Sequence, residues 1–182
     1  MKRTKWVLDP THSEIGFRIK HLMITNVSGS FKNFEGSVET LGDDFSKATI
    51  RATIDMTSIN TNNEQRDAHL RNSDFFEVDK YPQLTFESTD FKKLDDENFE
   101  LTGDLTLKGV TREVTLNVEF SGVTRDPWGG ERAGFIVTGK IRRSDFGVNF
   151  NGVMDTGGLM LGEEVKIHSE VQVVKQTEAV LA

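Results

Sequence analysis

A chain of 182 residues fits one domain, so residues 1–182 are read as a single unit with one core or cavity. A net charge of −7, uninterrupted by any cluster of Lys and Arg, repels phosphate backbones and excludes nucleic acid as a partner, and the absence of Cys excludes disulfides, thiol nucleophiles, iron–sulfur clusters and thiolate zinc sites. Thirteen Phe against two Trp and one Tyr supply ring area without polar tips, which suits an interior that is greasy throughout.

The N-terminal residues from Met1 to Trp6 are basic and run into a strand-like segment without an apolar signal region. No long apolar run follows, and the expectation is a cytoplasmic protein with no transmembrane segment. From Ser13 the chain alternates, with Ile15, Phe17, Ile19 and His21 on one phase and Glu14, Arg18 and Lys20 on the other. A period of two marks a half-buried strand. Ile50, Ala52, Ile54 and Met56 repeat the pattern, as do Leu84 with Phe86, and Phe99, Leu101, Leu105 and Leu107. Val114, Leu116, Val118 and Phe120 follow, then Ala133, Phe135, Val137 and Ile141, and last Val165, Ile167, Val171 and Val173.

Turn signals at Gly42-Asp43-Asp44, Asp95-Asp96-Glu97-Asn98, Lys108-Gly109 and Asp126-Pro127-Trp128-Gly129-Gly130 separate these runs. Short links between one-sided strands imply antiparallel neighbours. The predicted fold is therefore all-β, an extended antiparallel barrel of about eight strands, closed to remove its edges and wide enough for one small ligand. One short helix is predicted around Glu64–Arg71, with Asn62 as its cap and Gln65 three residues on. The helix, ending near Phe75-Phe76, is expected to cover one end of the barrel.

Ala52, Gly103, Ala133 and Gly139 fall on the apolar phases. Missing side chains there either leave room for a cavity or mark bends at barrel corners. Catalytic signatures such as HExxH, a P-loop, GxSxG or a dinucleotide fingerprint are absent from the sequence. His12, His21 and His69, with Asp67, form a metal or general-base cluster only if the fold brings them together; otherwise each satisfies a local hydrogen bond. Arg66, Asp67 and Arg71 read as a structural ion-pair set on the helix.

The segments Trp6, Asp9 and His12-Ser13, then His21-Leu22 and Gly29-Ser30-Phe31, then Ser58-Ile59-Asn60-Thr61 and Arg66-Asp67-Ala68-His69-Leu70, occur in an order that resembles the YceI-like proteins. Asp74-Phe75-Phe76, Tyr81-Pro82, Gly103-Asp104-Leu105-Thr106, Asp126-Pro127-Trp128-Gly129 and Arg143-Ser144-Asp145-Phe146-Gly147 extend the likeness over nearly the whole chain. The resemblance implies a lipocalin-like, polyisoprenoid-binding barrel that stores or transports a lipid such as an isoprenoid quinone or a polyprenyl phosphate in its pore. It supplies no catalytic residue, and the protein is read as a carrier rather than an enzyme.

The expected pore lining is Phe17, Ile19, Ala52, Ile54 and Leu70, the pair Phe75 and Phe76, then Leu84, Phe86, Gly103 and Leu105, and finally Leu116, Phe135 and Phe146. Headgroup candidates are His21, Arg66, His69, Arg71, Arg142 and Arg143. No metal and no cofactor besides the lipid are expected, and the partners are that lipid and, in passing, a membrane surface. Two other readings compete: an enzyme acting on such a lipid through His21, His69 and Asp67, and a solid-core structural or stress-associated β-protein.

Overall fold

The computed structural model describes residues 3–22, 24–151 and 160–176. In chain order the strands are β1 (Arg3–Leu8), β2 (Glu14–His21), β3 (Thr25–Phe31), β4 (Phe34–Leu41), β5 (Asp44–Asp55) and β6 (Ile59–Asn60). Helix α1 (Glu64–Arg71) follows, and then β7 (Gln83–Lys93), β8 (Asn98–Leu107), β9 (Val110–Arg125), β10 (Glu131–Arg142) and β11 (Leu161–Lys175).

Alternation sets the pairing, because only one register turns every apolar side chain to the same face. Among the described residues eight strands form a closed antiparallel ring in the order β1-β4-β5-β7-β8-β9-β10-β11, and β1 returns to β11 through Trp6 opposite Lys175 and Leu8 opposite Val173. The other half of β11 pairs with β2, Ile19 lying opposite Val165, and β2 carries β3 and β6 beyond it. Irregular register between Ser88 and Asp90 and between Gly134 and Phe135 bends the long strands around the ring. The turns fall where the sequence marks them: Lys108 and Gly109, both left-handed, join β8 to β9 in two residues, as the right-handed twist of a hairpin demands.

One end of the barrel is shut by aromatic rings. Trp6 is 0% exposed and lies 5.0 Å from Phe45, which meets Phe120 at 5.2 Å and Phe135 at 5.5 Å. Trp6 Nε1 donates to Thr40 Oγ1 (3.2 Å), and that hydroxyl donates to the Gly42 carbonyl (2.6 Å), so the buried indole leaves no polar atom without a partner.

Helix α1 lies at the other end, beside β6. Its cap is Asn63, whose side chain accepts from Arg66 N, rather than the expected Asn62; Asn62 has φ of 61° and cannot take the extended conformation of a cap. The expected ion-pair set on the helix also does not form. Asp67 accepts the amide and hydroxyl of Thr61 (2.9 and 2.6 Å), Arg66 donates to the Thr61 hydroxyl and carbonyl, and Arg71 Nε donates to the Thr57 carbonyl (3.0 Å). Loop carbonyls ahead of the helix lie closer to these arginines than any helical carboxylate, so the side chains anchor α1 instead of bracing it internally.

Candidate functional site

Between the aromatic floor and the helix runs a cavity of about 470 Å³, within the range of sites that hold small ligands. Near the floor its wall is Phe45, Phe91, Leu101, Phe135 and Val173; at mid-height it is Phe17, Ala52, Ile54, Leu84, Phe86, Leu105 and Leu116. Toward α1 the lining comprises Ile19, Leu70, Phe75, Phe76, Phe150 and Met160. Phe150 and Met160 are 41% and 40% exposed, and among the described residues this end of the cavity is its mouth. Phe75, only 6% exposed, packs its ring 5.0 Å from His69 and 5.1 Å from Phe150 at this mouth.

Gly103 and Phe146, both expected in the lining, lie outside it, as does Gly139. A Cβ on Gly103 would stand 2.5 Å from Phe86 Cζ, so the neighbouring ring already occupies the space the glycine leaves. Gly139 is filled likewise by Leu116, whose Cδ2 would clash with an added Cβ. Phe146 belongs to the 3-10 turn that follows β10, and it is buried in packed core away from the cavity. Space comes instead from Ala52 on β5 and from the girth of the ring.

The polar candidates divide too. His21, Arg66, His69 and Arg143 line the cavity, whereas Arg71 is held outside by the Thr57 carbonyl and Arg142 lies on the exposed phase at the end of β10. Arg143 is 6% exposed. It donates from Nε to Gly162 O (3.0 Å) and from Nη1 to Val148 O and Phe150 O (3.2 and 3.0 Å), and burial lowers its pKa against the pull of Glu163. No carboxylate among the described residues forms a salt bridge with it.

The histidines do not converge with Asp67. His69 Nε2 is 2.9 Å from Asp74 Oδ2, His12 Nδ1 is 2.8 Å from Asp9 Oδ2 on the outside of the barrel, and Asp67 is occupied by Thr61. Sequence reading missed the floor residues Phe45 and Phe91, both at alternating strand positions, and missed Phe150, which sits beyond the turn after β10 where no periodicity marks it. Among the described residues, no helix is long and apolar enough to cross a membrane.

A family model described as a YceI-like domain matches residues 6–173. A UPF0312 protein of Staphylococcus aureus (strain N315) is 46% identical over 170 residues, covering 93% of this chain and 96% of the relative. A Campylobacter jejuni YCEI protein of known structure is 34% identical, with a TM-score of 0.74 over 87% of this chain and 90% of that one. A polyisoprenoid binding domain from Saccharophagus degradans, 19% identical with a TM-score of 0.66 over 92% of this chain and 97% of its own, shares the fold.

Proposed function

Because the chain belongs to the YceI-like family, we propose that its barrel binds and carries one long apolar lipid of the isoprenoid type, and does so without transforming it. The observation that carries this reading is the cavity itself: about 470 Å³ walled by Phe, Leu, Ile and Val along the whole path from floor to mouth. Water gains nothing from such a wall, whereas each methylene transferred from water gains about 0.8 kcal/mol. The competing state in a cell is a bilayer, which is equally apolar. Exchange between the two is near balance, as storage and transport require.

Transient contact with a membrane fits the rim. Ile24 is 79% exposed in the turn after β2, and Leu22 N donates to Met160 O (2.7 Å), which ties that turn to the exposed Met160. A lipid leaving the bilayer there would pass from one apolar surface to another. An enzymatic role at His21, His69 and Asp67 loses support from the separation of Asp67 from both histidines by its bonds to Thr61.

Native mass spectrometry of freshly purified protein, followed by organic extraction, tests the carrier reading. An apolar lipid co-purifying at a fixed ratio and recovered chemically unchanged is the expected result. Neither co-purified lipid nor uptake of added lipid by the stripped protein would overturn it.

A further inference from the structure

Among the described residues the cavity lining includes Arg66, Arg143, His21 and His69 toward the mouth, yet not one Asp or Glu. That bias runs against the composition, since the chain has 29 acidic residues and 22 Lys and Arg. The carboxylates near the mouth have other direct partners, Asp67 accepting from Thr61, Asp74 pairing with His69 and Glu163 accepting from the Ser144 amide at 2.7 Å, and Glu163 pulls on Arg143 without forming a salt bridge with it. Arg66 and Arg143 have only a hydroxyl and backbone carbonyls as acceptors, and Nη1 of Arg66 and Nη2 of Arg143 have no acceptor among the described residues.

A guanidinium withdrawn from water without a counter-ion is costly, and carbonyl dipoles offset only part of that cost. The volume adds a second constraint. At the roughly 30 Å³ that a water-sized group takes in a liquid, about 470 Å³ encloses about sixteen carbon-sized groups. That is about the volume of one unbranched chain.

Resting on the lipid-carrier reading, we infer that the site selects acidic single-chain lipids, with a carboxylate or phosphate monoester held at the mouth by Arg66 and Arg143 and one tail running to the aromatic floor. The free edges of the two guanidiniums supply the donors, and the planar fork of Arg suits both headgroups. A neutral headgroup leaves these cations without a directly paired anion.

The test titrates the lipid-stripped full chain with four probes, palmitate and hexadecanol, farnesyl monophosphate and farnesol, by calorimetry at constant pH. Each acid should bind at least about tenfold more tightly than its own alcohol, about 1.4 kcal/mol. The preference should shrink toward unity in Arg66→Gln and in Arg143→Gln, and Arg143→Lys stands in if the glutamine variant does not fold. Which of the two acids binds more tightly separates a fatty-acid source from a prenyl-phosphate source. Equal binding of acid and alcohol by the wild-type chain overturns the headgroup inference and leaves the apolar carrier intact. Binding of none of the four overturns the carrier reading itself.

Discussion

The ring of Phe86 lies where the side chain of Gly103 would be: a Cβ built on Gly103 would be 2.5 Å from Phe86 Cζ and 2.5 Å from the Glu87 carbonyl oxygen. A glycine on one strand covered by an aromatic from the next gives a curved barrel room to close without leaving a hole. Gly103→Leu should therefore overpack and destabilise the stripped protein by about 1 to 3 kcal/mol. Ala52→Leu adds its bulk to the cavity instead, and should leave the stripped protein as stable as wild type while reducing lipid content. Urea denaturation of stripped samples and extraction of loaded ones distinguish the two.

Floor and mouth should respond differently to truncation. Trp6 is fully enclosed between Phe45 and its bond to Thr40, so Trp6→Ala should cost about 3 to 5 kcal/mol. Phe75 packs against His69 and the half-exposed Phe150 at the mouth. Phe75→Ala should cost less than Trp6→Ala and speed lipid release, as measured by transfer to acceptor vesicles. A Phe75→Ala loss as large as that of Trp6→Ala, with release unchanged, would make Phe75 a core residue rather than a gate.

Acid should weaken the outer brace of the barrel. Arg132 Nη1 donates to Asp9 Oδ2 (2.7 Å) and Nε to Asp126 Oδ2 (3.1 Å), joining the segment after β1 to the β9–β10 hairpin. The Arg132 guanidinium holds the Asp9 carboxyl well below the ordinary range, and the Gly130 amide, with Arg132, lowers that of Asp126. A carboxylate whose folded pKa is depressed contributes stability that is present above its unfolded pKa near 3.9 and fades as pH falls below it. The wild-type melting temperature should thus fall steeply below about pH 4. Arg132→Met should lower it at neutral pH and flatten the acid slope, which a series of calorimetric scans from pH 7 to about pH 2 would record.

Alternation was enough to place the long strands, since Phe99, Leu101, Leu105 and Leu107 announce β8 and Leu116 and Val118 announce β9. β3 and β4 were less visible because small or polar residues occupy their inward slots. Gly29 is covered by the Phe17 ring, which stands where its Cβ would be; Gly36 and Thr40 interrupt the apolar phase around Val38. The same covering of inward glycines hides the limits of the site in the sequence. An inward glycine looks like empty space in one dimension, whereas Phe86 and Leu116 reach in from adjacent strands. The mouth depended on contacts that no spacing encodes, such as Phe150 against His69 at 5.0 Å.

The attachment of α1 rests on Thr61 and Asp67, and it can be loosened without touching the lipid wall near the floor. Both the amide and the hydroxyl of buried Thr61 end on Asp67 Oδ1, and Arg66 holds the same threonine from its other side. Asp67→Ala strips the Thr61 amide of its acceptor in a buried setting, a loss of about 1 to 3 kcal/mol. Asp67→Asn keeps an amide oxygen at that position and should recover part of it. Because Arg66, His69 and Leu70 of the same helix line the cavity, the alanine variant should also release lipid faster. Amide exchange over residues 60–72, measured beside lipid transfer, checks the connection. Faster exchange with unchanged transfer would mean that α1 only caps the fold, whereas parallel acceleration of both, partly reversed in Asp67→Asn, would make the helix the cover through which the lipid passes.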